Sequence, residues 1–393
     1  MKFWYKFLFL PILILALTGC DKDSSDEELE ESSEAYHSKD MTEDGKVTQL
    51  QKHTIGKGIP IIIMCDKFLD KDIVSGKYRE ATNWALEGLF SVHPMKSLKD
   101  YFDVYEVTAV SYAYSSSKTT STGFSARSEK SYRGGDDNKA VRYAKKAIDE
   151  ERIDDAVIII LINYNQYFRS FCSYVNMPSS YSGIPTGCAV AYVQLPLNEN
   201  GTIIRDGYPG TLLHETVGHG FAKLADEYVE EERKWKEPES EMDDLLMMQN
   251  RGYNKNVSLD SDVMKTYWAD FAADSRYGFE RLGCYEGGEY QNMGVYRATW
   301  NNIMNSSTEL YFNVVHRVMI YKRCMNLAYG DSWQFAYEDF VKFDLEKAKA
   351  EHEEIEKLYQ KYNLDYHSTS KCLGAPPRFV DSVIRSRAIK TTK

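Results

Sequence analysis

The chain has 393 residues and carries 59 acidic against 48 basic side chains, a net charge of −11, so it lacks the cationic surplus that a nucleic-acid partner requires. Its seven cysteines are widely spaced and form no Cys-x-x-Cys pair, which argues against a cysteine-based zinc site. A chain of this length also needs no disulfide framework to fold, whatever pairing Cys65, Cys172, Cys188, Cys284, Cys324 and Cys372 adopt after export.

The first twenty residues stand apart from the fold. Lys2 and Lys6 precede an apolar run from Phe7 to Leu17 that is too short to span a bilayer comfortably, and small residues follow it, the order of a cleavable signal. Leu17-Thr18-Gly19-Cys20 resembles the bacterial lipobox, in which the cysteine is lipidated and becomes the mature N-terminus. That resemblance makes Cys20 the lipidation site and implies a cell-envelope protein held to the outer membrane by lipid. Residues 21–34 then place eight acids beside one lysine, −7 of the −11. Such a run repels itself and buries nothing, so a disordered spacer is expected over residues 21–55. Acidic residues directly behind a lipidated cysteine resemble the surface-export signal of some Bacteroides-like bacteria, which implies surface exposure.

Further along, Ile59 to Met64 reads as a buried strand and Ser75 to Val92 as an amphipathic helix, with Tyr78, Ala81, Ala85 and Leu89 on one face and Pro94 beyond its end. Tyr101 to Val110 is rich in strand formers. Ser111 to Gly135 is polar and reads as a surface loop, and Asn138 to Glu150 as a helix. Ala156 to Ile162 is a continuous apolar run, the pattern of a strand covered on both faces, and Ala189 to Leu197 supplies another strand. This alternation predicts an α/β layer with a mixed sheet over residues 56–228. Residues 229–393 read as a mainly helical C-terminal lobe of the same domain. Within it, Trp333 to Tyr362 is predicted to lie on the surface through a stripe at Ile355, Leu358, Tyr359 and Tyr362.

The chemistry is concentrated in Thr211-Leu-Leu-His-Glu-Thr-Val-Gly-His-Gly-Phe-Ala-Lys-Leu-Ala-Asp-Glu-Tyr228. Zinc peptidases of the common kind place two histidines four apart on a helix, with the glutamate after the first as general base. Here His214 and His219 are five apart. Five residues of α-helix rotate through about 500°, leaving the rings roughly 140° apart and unable to share a metal. A π-bulge restores them to one side, and Gly218 tolerates such a distortion. A third ligand must come from Asp226, Glu227 or the distant Glu286, with Asp226 favoured. On an unbroken helix Asp226 would lie about 10 Å along the axis from His219, so the chain is expected to bend near Gly220 to Ala222.

His-Glu-x-x-Gly-His followed by Leu224-x-Asp226-Glu227-Tyr228 resembles the bacterial IgA-peptidase family of zinc metallopeptidases. Tyr285-Glu286-Gly287, Tyr296-Arg297 and the stretch to Met304 resemble that family's second characteristic block, and the likeness covers roughly Ile59 to Met319. Dipeptidyl peptidase III enzymes share the spacing but are much longer, and their acidic second motif has no clear counterpart here. The resemblance implies a zincin-like catalytic domain binding one Zn²⁺ per chain through His214, His219 and one carboxylate, for which Asp226 is favoured, then Glu227. It also implies Glu215 as general base, Tyr296 or Arg297 as oxyanion donor, and Met304 as a hydrophobic floor comparable to the metzincin Met-turn. The expected activity is hydrolysis of peptide bonds in extracellular proteins, immunoglobulin A-like substrates among them. The alternative is a non-catalytic surface lipoprotein that binds a host protein or peptide.

Overall fold

Two stretches, Ile59-Pro-Ile-Ile-Ile-Met-Cys-Asp66 and Val157-Ile-Ile-Ile-Leu-Ile162, send apolar side chains to both faces of a strand and so require cover on both sides. The computed structural model describes residues 36–114, 123–129, 132–177, 186–230, 239–309, 311–361 and 378–379, and in it both stretches are strands buried at every position. In chain order the strands are β1 (Val47–Gln51), β2 (Ile59–Asp66), β3 (Phe102–Val107), the hairpin β4 (Arg127–Glu129) and β5 (Tyr132–Gly134), β6 (Val157–Ile162), β7 (Phe171–Val175), β8 (Cys188–Gln194), β9 (Val257–Ser258), β10 (Tyr285–Gly288), β11 (Gln291–Arg297) and the two-residue β12 (Arg378–Phe379). Six of them form a mixed sheet in the order β1-β3-β2-β6-β8-β7, with β12 added beside β7. The inner strands β3, β2, β6 and β8 run parallel, β1 is antiparallel to β3 and β7 to β8, and β12 runs parallel to β7.

Register decides which side chains meet. Ile61 pairs with Val157, which pairs with Ala189, so Ile61, Ile63, Val157, Ile159, Ala189 and Ala191 line one face. That face packs on the helices Lys77–Leu89 and Val314–Tyr329 and on the segment Leu213–Phe221. The opposite face, with Ile62, Ile158, Ile160 and Val190, is covered by Ala140 and Ala144 of the helix Asp137–Ala144 together with Phe124 and Ile153. Each fully buried aliphatic side chain contributes about 1.5–3 kcal/mol, which makes this three-layer core the main source of stability.

From Tyr36 onward the chain is one compact unit. Tyr253, Trp268, Phe271, Phe312 and Phe340 join the same core as the sheet, because the apolar face of β2, β6 and β8 is wider than the preceding helices cover. The C-terminal part is less helical than its composition implies: β9, β10 and β11 form a small antiparallel sheet, hidden in the sequence by Gly287, Gly288 and Gly294. The spacer boundary also needs correcting, since Val47–Gln51 alternates enough to pair with β3 as an edge strand, well before residue 55. The polar stretch from Ser111 holds the β4–β5 hairpin, and β7, the five-residue run Phe-Cys-Ser-Tyr-Val, is a strand beyond those the sequence predicts. The last helix, Tyr337–Lys361, is anchored by Phe340, Val341, Asp344, Ala348 and His352. Of the stripe expected there, Ile355 is half-buried; the side chains of Leu358 and Tyr359, and Tyr362 itself, lie outside the described residues.

The anchor of that helix is ionic. Fully buried Arg317 donates to Asp344 at 2.7 and 2.8 Å and to Glu280 at 2.5 Å, and His93 Nε2 lies 2.9 Å from Asp344. Glu351, about two turns further on, accepts from the His93 backbone N–H at 3.0 Å, and burial pushes its carboxyl up to about 7. A carboxyl raised in the folded state above its usual 4.5 contributes stability below pH 4.5 and loses it as pH rises through about 7. Glu351→Gln, which cannot ionise, is therefore expected to gain melting temperature relative to the native protein between pH 5 and pH 8. A difference that stays flat across that range would contradict this.

Candidate metal centre

The five-residue spacing is resolved by the backbone. After a single α-turn, Gly210–Leu212, the segment Leu213–Phe221 is a π-helix, nine residues long rather than the one-residue bulge expected. At about 4.4 residues per turn, five residues rotate through roughly 410°, which returns both rings to one side. The imidazole centres lie 4.7 Å apart with their planes at 86°, and the two Nε2 atoms are 3.1 Å apart. Gly218 serves close approach: a Cβ there would stand 2.3 Å from Met304 Sδ, and Met304 is wholly buried beneath the helix. Gly218→Ala is expected to cost about 1–3 kcal/mol in urea unfolding as the thioether is displaced. An unchanged midpoint would remove the packing argument.

Each ring is oriented by a carbonyl. His214 Nδ1 donates to Ile303 O at 2.8 Å and His219 Nδ1 to Leu224 O at 2.7 Å. A neutral imidazole protonated on Nδ1 presents a bare Nε2, the form that binds a metal. The helix then ends in a turn closed by Ala222 N–H to Val217 O at 2.8 Å and Leu224 N–H to Gly218 O at 3.0 Å. The bend falls at Lys223, whose φ is 58°, one residue beyond the expected Gly220 to Ala222. Lys223 holds that strained conformation because its buried ammonium donates to Gly187 O and Gly220 O at 2.8 and 2.9 Å and lies 4.7 Å from the Tyr174 ring centre. Burial presses its pKa well below the usual lysine range.

That turn brings Asp226 back to the histidines. Its Oδ1 lies 2.9 Å from His214 Nε2 and 3.2 Å from His219 Nε2, all three groups fully buried. Three acceptor atoms at mutual distances of 2.9, 3.1 and 3.2 Å repel one another unless a cation or protons sit among them. Ligands at 2.0–2.1 Å from a tetrahedral zinc would stand about 3.4 Å apart, close to what is seen. The donor set therefore fits a metal ion. Glu215 is buried with the histidines, and His214, Glu215 and His219 present ligand atoms all within 4.8 Å of one another, a group that could hold a metal ion. Asp226 Oδ1 contacts both nitrogens, at 2.9 and 3.2 Å.

The remaining candidates separate. Glu227 faces away from the histidines: its carboxylate accepts from His316 Nε2 at 2.6 Å, Asn256 Nδ2 at 2.8 Å and Asn302 Nδ2 at 2.5 Å. Glu286 is exposed and accepts from the Gly294 N–H at 3.0 Å. The Tyr296 hydroxyl turns to Glu286, at 3.5 Å. Arg297 is buried, but its guanidinium is committed to the carbonyls of Trp300, Glu286 and Gly287. Ile303 and Met304 do meet the centre, one through its carbonyl and the other as the floor under Gly218. Unforeseen was Tyr290, whose hydroxyl donates to Asp226 Oδ2. Only its place two residues after paired glycines could have drawn attention to it. Cys20 lies outside the described residues, and the described cysteines are free thiols. No described helix is long and apolar enough to cross a membrane. No family model matches the chain, and no curated protein matches its sequence.

Proposed function

We propose that the protein is a zinc-dependent peptidase, an endopeptidase acting on extracellular proteins in the manner of the IgA-peptidase family that its motif resembles. The observation that carries this reading is the convergence of His214 Nε2, His219 Nε2 and Asp226 Oδ1, with the buried carboxylate of Glu215 beside them. Zinc bound there would supply a Lewis acid that polarises a scissile carbonyl and makes a water acidic near neutral pH. The Ile303 and Leu224 carbonyls accept from Nδ1 of His214 and His219 and so turn Nε2 of each ring toward the common point. Glu215 takes the proton of the attacking water on a carboxylate oxygen and passes it to the leaving amine. The fold behind the centre is read as zincin-like, with Met304 as its floor. The oxyanion donor assigned to Tyr296 or Arg297 loses support from their contacts.

The test is cleavage profiling of a proteome-derived peptide library by the purified chain, with and without a chelator and with immunoglobulin A alongside. Chelator-sensitive cleavage restored by Zn²⁺ is the expected result. Stoichiometric zinc without any cleavage would favour the non-catalytic binding lipoprotein instead. For location, we read the chain as lipid-anchored through Cys20 in the bacterial envelope and facing outward. Mature protein that takes up no labelled palmitate would defeat that reading.

A further inference from the structure

The hairpin joining β10 to β11 has an unusual tip. Gly288 pairs with Gln291, so Glu289 and Tyr290 are the two central residues of the turn, and their φ angles are 46° and 70°. Turns with two left-handed centres favour asparagine and glycine, because a Cβ crowds the backbone there. A glutamate and a tyrosine in those places are strained, and such strain persists where the surroundings over-determine it. Here three backbone bonds tie the tip to the chain leaving the centre: Glu289 N–H to Asp226 O at 2.9 Å, Tyr290 N–H to Tyr228 O at 3.0 Å and Glu230 N–H to Tyr290 O at 3.1 Å. Asn254 Nδ2 holds the Glu289 carboxylate at 2.7 Å, and the Tyr228 and Tyr290 rings meet edge to face with centres 5.1 Å apart.

This strained tip delivers the Tyr290 phenol to the centre, where it donates to Asp226 Oδ2. Asp226 turns its other oxygen, Oδ1, to both imidazoles. We propose that Tyr290 is a positioning residue for the metal centre, its hydroxyl capping Oδ2 so that Asp226 offers Oδ1 alone and cannot swing to present both oxygens. This rests on the reading of His214, His219 and Asp226 as metal ligands. A carboxylate ligand is oriented by what binds its outer oxygen, and loss of such a partner typically costs 10–100-fold in metal affinity.

Tyr290→Phe removes the hydroxyl and keeps the ring. The expected result, with Zn²⁺ titrated against a chromophoric chelator, is about a 10–100-fold loss of affinity, while the metal-free variant stays folded with only the lowered melting temperature that loss of one buried hydrogen bond brings. The visible spectrum of the Co²⁺-loaded variant should also change, because the carboxylate is then able to bind through both oxygens. Glu289→Asn, which suits a left-handed turn and keeps the phenol, should bind Zn²⁺ as the native chain does. Native affinity and spectrum in Tyr290→Phe would overturn the proposal. Equal losses in both variants would assign the effect to docking of the tip and overturn it too. A native protein that binds no Zn²⁺ would sink the metal centre itself, an outcome read before any variant is made.

Discussion

Glu215→Ala is expected to retain near-stoichiometric zinc while its peptidase turnover falls by about 10²–10⁴-fold, the usual contribution of a positioned acid–base group. Neither imidazole depends on Glu215 for its orientation, since Ile303 O holds one ring and Leu224 O the other. The π-helical backbone that carries both histidines also packs through residues other than Glu215, with Val217 and Phe221 in the main core and Gly218 over Met304. Truncation should thus remove the proton acceptor and leave the ligands in place. Metal content and turnover measured on the same preparation decide the matter. Wild-type turnover in the alanine variant would take Glu215 out of the mechanism.

Asp226→Ala and Glu227→Ala should fail in different ways, although the residues are neighbours. Removing Asp226 deletes one of three converging donors, and zinc affinity is expected to fall by at least about 100-fold, more than loss of an outer partner costs. Removing Glu227 strands buried His316, Asn256 and Asn302, all of which donate to its carboxylate. Breaking a buried pair of this kind costs about 3–5 kcal/mol, so the expected loss is in folding stability of the metal-free protein. Zinc titration and urea unfolding on each variant separate the two. Equal zinc losses at unchanged stability would reassign the third ligand.

The central strands β2 and β6 were legible because long β-branched runs admit few other fates, whereas the short β1, β4, β5 and β7 were not. The anomalous spacing of His214 and His219 was informative for the same reason: only a widened helix lets them share a metal, and a π-helix is found. The bend that returns Asp226 was legible as a need but not as a place. Lysine is no turn former, and the left-handed Lys223 is held by the local Gly220 carbonyl together with the Gly187 carbonyl and the Tyr174 ring from distant segments. The same limit applies to Tyr290 against Tyr296 and Arg297. All three lie near the β10–β11 hairpin, and which one meets the centre depends on how that hairpin docks, a tertiary fact that local pattern does not carry.

The three converging donors lie between positions 214 and 226, a span of thirteen residues, whereas the groups that orient Asp226 and His214 lie near 290 and 303. Closing so short a ring of chain costs little entropy, because that cost grows only with the logarithm of loop length and is small here. An unfolded chain therefore keeps some capacity to chelate through the same ring. Since a ligand stabilises the native state only by its preference for it over the denatured ensemble, a metal here would raise thermal resistance by less than its native affinity alone implies.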